Sequence, residues 1–228
     1  MRDLASKLMA ELECETAFTI PVFGGIPIPE SVVVTWVIMI FLVLGSIFLT
    51  RNLKVVPESK RQIIAETIVE FFQNFFGGIL GNEGKIYIPY LSTVLLYIGV
   101  ANIIGVFGIK PPTKDLNVTA GLAIMSIILI ECCGIREKGI KGFIKSFAQP
   151  MAIITPINIL EIFIKPLSLC MRLFGNVIGA FVVMELIKIV MPAFLPVPFS
   201  MYFDIFDGLI QAYVFVFLTS LFMKEAME

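Results

Sequence analysis

Residues 31–50, "SVVVTWVIMIFLVLGSIFLT", form a run of twenty residues without one charge. That is the length an α-helix needs to cross about 30 Å of hydrocarbon. In lipid every backbone amide and carbonyl must be satisfied within the segment, so such a run must be helical. The rest of the chain agrees with a membrane class. Of its 228 residues 58% are hydrophobic and 15% charged, where a soluble domain has about a quarter charged.

Composition also removes several kinds of chemistry. The net charge is −1, so no basic field points to nucleic acid. There is no histidine, which excludes imidazole metal sites and histidine proton relays. The four cysteines (14, 132, 133 and 170) have neither C-x-x-C nor metal-ligand spacing and read as small apolar fillers. No nucleophile–base pair or phosphate-binding glycine loop is present, and no cofactor is expected.

The chain then divides as one membrane domain. Residues 1–30 form a leading segment whose start is amphipathic and acidic, unlike a signal peptide. Span 1 (31–50) is followed by Arg51, Lys54, Lys60 and Arg61. Over 62–82 apolar residues recur at helical spacing opposite Glu66, Glu70, Gln73 and Asn74, which predicts an amphipathic surface helix. Span 2 covers 87–109. A turn-rich stretch, 110–119, leads to span 3 (116–135), and a basic loop holds Arg136, Lys138, Lys141 and Lys145. A long helix over 151–190 carries Pro156 and Pro166. A break at 191–198 precedes the last helix, 199–223. The two lysine- and arginine-rich stretches belong on the cytoplasmic side, so five crossings put the N-terminus outside and the C-terminus inside.

Two helices carry polar stripes. Advancing 100° per residue, Glu161, Lys165, Ser168 and Asn176 fall within about 40° of Arg172, and Gly179 continues that face. An arginine at mid-bilayer costs roughly 2.5–3.5 kcal/mol and should face protein or water. Either it pairs with Glu185, Asp204 or Asp207 of this chain, or it awaits an external carboxylate. Glu161 and Lys165 at i, i+4 can pair with each other. In the last helix Asp204, Asp207, Gly208, Gln211 and Phe215 share a direction, lining a water-accessible path or marking the interface. Together these groups suit a cation path: acids and amides lead the ion inward, and a fixed guanidinium blocks its straight passage. A neighbouring guanidinium also lowers the pKa of any carboxylate brought beside it and so discharges it.

The segment "KPLSLCMRLFGNVIGA" (165–180), preceded by "NILEIF", resembles the signature of the a subunit of F-type ATP synthases. "PPTKDLNVTAGLA" (111–123) and "FDGLIQAYVFVFLTSLF" (206–222) resemble that family's outer loop and last helix. The resemblance implies an all-α polytopic stator in the cell membrane, not itself an enzyme. Its last two long helices would lie against a c-ring, with the b subunit of the peripheral stalk as a further partner.

By the same resemblance Arg172 faces the ring carboxylates, Asn176 and Gln211 match polar positions beside it, and Asp115 with Asn117 lies near the outer ion entrance. H⁺ or Na⁺ would enter past Asp115, Glu185, Asp204, Asp207 and Gln211, and leave by an inner path including Glu161, Lys165 and Ser168. Phe181 stands where some relatives have an acid, a role Glu185 takes over. Two rivals fit less well. A self-sufficient transporter would show internal repeats. An intramembrane aspartyl enzyme would have to use Asp204 and Asp207, which share one helix near its start.

Overall fold

A computed structural model describes residues 16–20, 26–55, 59–146, 155–190 and 196–227. Cys14, most of the leading segment, the start of the long helix at 151–154 and most of the break at 191–198 lie outside them. Among the described residues two short strands come first. β1 (Thr16–Ile20) pairs antiparallel with β2 (Ile26–Pro29), and the elements described after them are helices.

α1 (Glu30–Thr50) starts with Glu30 in its first turn, where a negative charge complements the helix dipole. Only Ser31 and Ile38 of this helix are buried. Val37, Phe41, Leu44, Ile47 and Phe48 are all exposed, an apolar surface that suits lipid. α2 (Lys60–Leu80) is capped by Ser59, whose Oγ accepts from the Gln62 amide at 3.2 Å. It ends where Gly81 takes φ 69°, a conformation that favours glycine. Phe72, Phe76 and Leu80, spaced four apart, form its buried stripe, and Phe75 meets Tyr213 of the last helix at 5.5 Å between ring centroids.

α3 (Ile88–Ile103) tightens into a 3₁₀ turn over Ile104–Phe107 and reverses at Gly108, φ 76°. A second 3₁₀ turn, Pro112–Lys114, leads into α4 (Leu116–Ser146). The basic stretch expected as a loop is therefore helical. Nothing at 136–138 opposes a helix, and the break falls only at Gly139 (φ 70°, ψ 162°). α5 (Thr155–Val190) runs 36 residues. Pro156 sits at its start, where a missing N–H costs nothing, and Pro166 leaves the Ile162 carbonyl without its i+4 donor while the helix continues. The last helix, α6 (Gly208–Met227), follows a helical turn at Pro196–Ser200 and a π-helical segment at Met201–Asp207.

All six long helical stretches, 60–80 included, are long and apolar enough to cross a membrane. The chain is an all-α polytopic membrane protein. Its centre is α3, α4 and α6, packed through Leu91, Ile98, Ile130, Cys133, Phe215 and Met223. α5 lies on α4 through Leu169, Cys170 and Leu173, which leaves most of its remaining surface uncovered.

Candidate functional site

The buried side of α5 fixes where its polar side points. With Leu169, Cys170 and Leu173 against α4, Ser168, Arg172, Gly175 and Gly179 are exposed. Arg172 makes no ion pair or hydrogen bond to any described residue. The acids that might have paired with it are engaged or placed elsewhere. Glu185 Oε1 holds Lys188 Nζ at 2.5 Å, and Asp204 Oδ2 accepts from Ser200 Oγ at 2.6 Å.

One turn after Arg172, Asn176 Nδ2 reaches Gln211 Oε1 of α6 at 3.4 Å. Gln211 is 6% exposed, and its Nε2 has no acceptor among the described residues. This pair forms one limit of a cavity of about 610 Å³. Asn176, Phe181 and Glu185 of α5 line one side, and Asp204, Asp207 and Gln211 the other. A third wall runs from Asn102 through the 105–114 connection. There the Lys114 ammonium lies 3.5 Å from the Phe181 ring centroid, a cation–π contact. The π-helical segment carries both Asp204 and Asp207 into the cavity lining; π turns often occur at functional sites. The lining carries three carboxylates (Glu185, Asp204, Asp207), three amides (Asn102, Asn176, Gln211) and three lysines (Lys110, Lys114, Lys188), polar groups through which a small ion can pass. Among the described residues no group of three metal-ligating side chains gathers.

Asp115 and Asn117 lie apart from this lining. Asp115 is buried; its Oδ2 accepts from Ser31 Oγ at 2.6 Å and its Oδ1 from the Asn117 amide at 2.9 Å. Its carboxylate thus caps α4 and ties it to α1. Exchanging Asp115 for alanine should destabilise the subunit by about 1–2 kcal/mol, and the asparagine variant by much less, because asparagine caps helices as well as aspartate does. Thermal dissociation of the detergent-purified complex measures both. An equal loss in the two variants would show that the charge, not the cap, matters.

At the other end of α5, Lys165 Nζ bridges Glu161 at 3.3 Å and Glu225 of α6 at 3.1 Å. Ser168 stands one turn on, exposed.

Asn102, Lys114, Lys188, Ser200 and Glu225 were not singled out by sequence reasoning. Asn102 had a signal, as one amide in the apolar run "IGVANIIG". Glu225, sixty residues from Lys165, had none. For Asp115 the signal was an acid immediately before a helix, the usual mark of a cap.

Comparison with known proteins comes from most of the chain. The profile of the family described as ATP synthase A chain matches residues 32–224. ATP synthase subunit a of Moorella thermoacetica is 40% identical over 197 residues, 86% of this chain and 89% of that protein. A protein of Propionigenium modestum named "ATP synthase subunit a, sodium ion specific" is 36% identical over 216 residues, 88% of this chain and 74% of its own. ATP synthase subunit a 2 of a Bradyrhizobium species is 35% identical over 204 residues, 89% of this chain and 91% of its own.

Proposed function

The chain belongs to the ATP synthase A chain family, the ion-translocating membrane component that works with the c-ring and is not itself catalytic, and on that premise we propose how it conducts. The cavity between α5 and the last helix is the outer half-channel. Ions enter by Glu185, Asp204 and Asp207, pass Gln211 and Asn176, and load a ring carboxylate on the exposed face of α5. Arg172 stands on that face and keeps the loaded ion from crossing directly to the inner path, which begins at Ser168 and the Glu161–Lys165 pair. The carrying observation is that the α5 lining of the cavity stops at Asn176, one turn short of an exposed Arg172 that pairs with no described residue.

The same reading places the protein in the cell membrane with Arg51–Arg61 and Arg136–Lys145 on the cytoplasmic side, by the excess of basic residues there. The N-terminus is then outside and the C-terminus inside. The 60–80 helix, with Glu66, Glu70, Gln73 and Asn74 on one side, lies along the inner surface, where the b subunit can reach it. The ion is H⁺ or Na⁺; the Propionigenium relative is named for Na⁺. Asp115 and Asn117 stand at the outer rim, holding α4 in place rather than contacting the ion.

A thiol test addresses the cavity directly. Val177→Cys and Ala180→Cys place sulfur in the lining, and a membrane-impermeant, positively charged thiol reagent is applied to each face of vesicles holding the complex. Reagent on the outer face should stop ion-driven ATP synthesis, and reagent on the inner face should not. Equal block from both faces, or labelling without loss of synthesis, would refute the half-channel.

A further inference from the structure

One buried amide in the cavity wall ties together three parts of the chain. Asn102, in the last turn of α3, is 5% exposed. Its Nδ2 donates to the Gly208 carbonyl at 2.9 Å, and its Oδ1 accepts from Thr113 Oγ1 at 2.8 Å. Gly208 is the residue at which the π-helical segment ends and α6 begins, its N–H bonding back to the carbonyls of Ile205 and Phe203. The contact is close: a Cβ at Gly208 would lie 2.8 Å from that of Asn102, nearer than such atoms approach, so this position needs glycine. Three residues after Asn102, on α3's extension, a Cβ at Gly105 would lie 3.0 Å from Asp204 Oδ1.

We propose that Asn102 is the positioning residue of the ion path: its amide clamps the Gly208 carbonyl, and so holds the π-helical segment in the register that directs Asp204 and Asp207 into the cavity. This inference rests on the half-channel reading above. Asn102 acts through the backbone of Gly208, and its Thr113 bond anchors the same amide to the turn carrying Lys114. Its two ends have opposite requirements. The Gly208 carbonyl demands a donor and the Thr113 hydroxyl an acceptor, which a neutral amide or a protonated carboxyl supplies and a carboxylate does not.

The test is therefore a pH profile of Asn102→Asp. Complexes are purified at pH 6, placed in vesicles, and driven by a potassium diffusion potential with equal pH on both sides. Synthesis is expressed as a ratio to wild type at each pH. The charged groups around the site, Lys110 and Lys114 on the connection, Glu185 and Lys188 on α5, and Asp204 and Asp207 beside Gly208, are present in both proteins, so the ratio retains only what the new carboxyl and its coupling to them add. A carboxyl supplies the donor to the Gly208 carbonyl only while it holds its proton, which it gives up as the pH rises. Expected is a ratio about tenfold lower at pH 8 than at pH 6 for Asn102→Asp, against a low and flat ratio for Asn102→Ala. A flat ratio for Asn102→Asp, or near-normal synthesis with Asn102→Ala, would overturn the clamp.

If neither variant assembles, Thr113→Val decides. It keeps the Gly208 bond and should lower synthesis by about threefold with no change in the pH profile. Wild-type rates there would also count against the proposal. The half-channel stands or falls separately, on outer-face block of Val177→Cys: a flat Asn102 result beside a positive block removes only the clamp.

Discussion

Complexes carrying Arg172→Ala are expected to lose ion-driven ATP synthesis by two orders of magnitude or more while assembling normally, and to leak the ion passively. A guanidinium in the membrane costs roughly 2.5–3.5 kcal/mol on insertion scales, and here no described residue offsets it. It is not needed for packing, because Leu169, Cys170 and Leu173 seat α5 on α4 while Arg172 stays exposed. At about 5 Å and an effective dielectric near 20, a fixed positive charge opposes a cation by roughly 3 kcal/mol, about a hundredfold in occupancy. Removing it opens a direct route from the cavity to the inner path, and flow no longer requires ring rotation.

Arg172→Lys should fail as well. A lysine ammonium is a compact point charge that gives up its proton when desolvated, whereas the guanidinium keeps its charge and its planar fork of donors. Both variants are read in vesicles by ATP synthesis and by passive ion flux without nucleotide. Near-normal synthesis in either would make Arg172 a structural residue and end the proposed mechanism.

Gly134→Leu should reduce the amount of assembled complex more than tenfold. Gly134 lies where α4 meets the end of α6. A Cβ there would lie 3.1 Å from the Ala226 carbonyl oxygen, 3.3 Å from the Phe143 ring and 3.4 Å from the Ala226 Cβ. One of these is backbone and cannot swing aside. Between membrane helices, small residues permit the close approach on which packing depends, since lipid is as apolar as leucine. A leucine must push α4 and α6 apart, and the bridge from Lys165 to Glu225 lies on the same last turns of α6. Gly134→Ala should be much milder. Gly121→Leu, on the same helix with nothing within 4 Å of its Cβ, should be tolerated. Immunoblots of membranes and native gels of the purified complex separate the three. Normal assembly of Gly134→Leu would show that the helices meet differently.

Much of this was legible in one sequence. The apolar run at 31–50 and the periodic stripe at 72–80 could only be helical. The polar line through Glu161, Lys165, Arg172 and Asn176 follows from a fixed 100° advance per residue. The motif around Arg172 pointed to the family before any coordinates did. Local signals failed where two conformations differ by little. The charges over 136–145 suggest a loop, though lysine and arginine are good helix formers. The hairpin at 16–29 has too few residues to show a clear period.

The sequence by itself determined most of the helical segments, which face of each is apolar, and that a single arginine lies among the apolar residues of the long helix. These are properties of near neighbours, set by backbone sterics and by the cost of polar groups in lipid. Only the tertiary structure decided which polar groups meet. Asn176 with Gln211, Asn102 with Gly208, Ser31 with Asp115 and Lys165 with Glu225 are separated by 35, 106, 84 and 60 residues. No local rule specifies such pairs, because they depend on the register at which whole helices pack. That register is why Asp115 serves as a cap, why Lys114 rests on Phe181, and why Arg172 is left facing outward with its charge unanswered within the described chain.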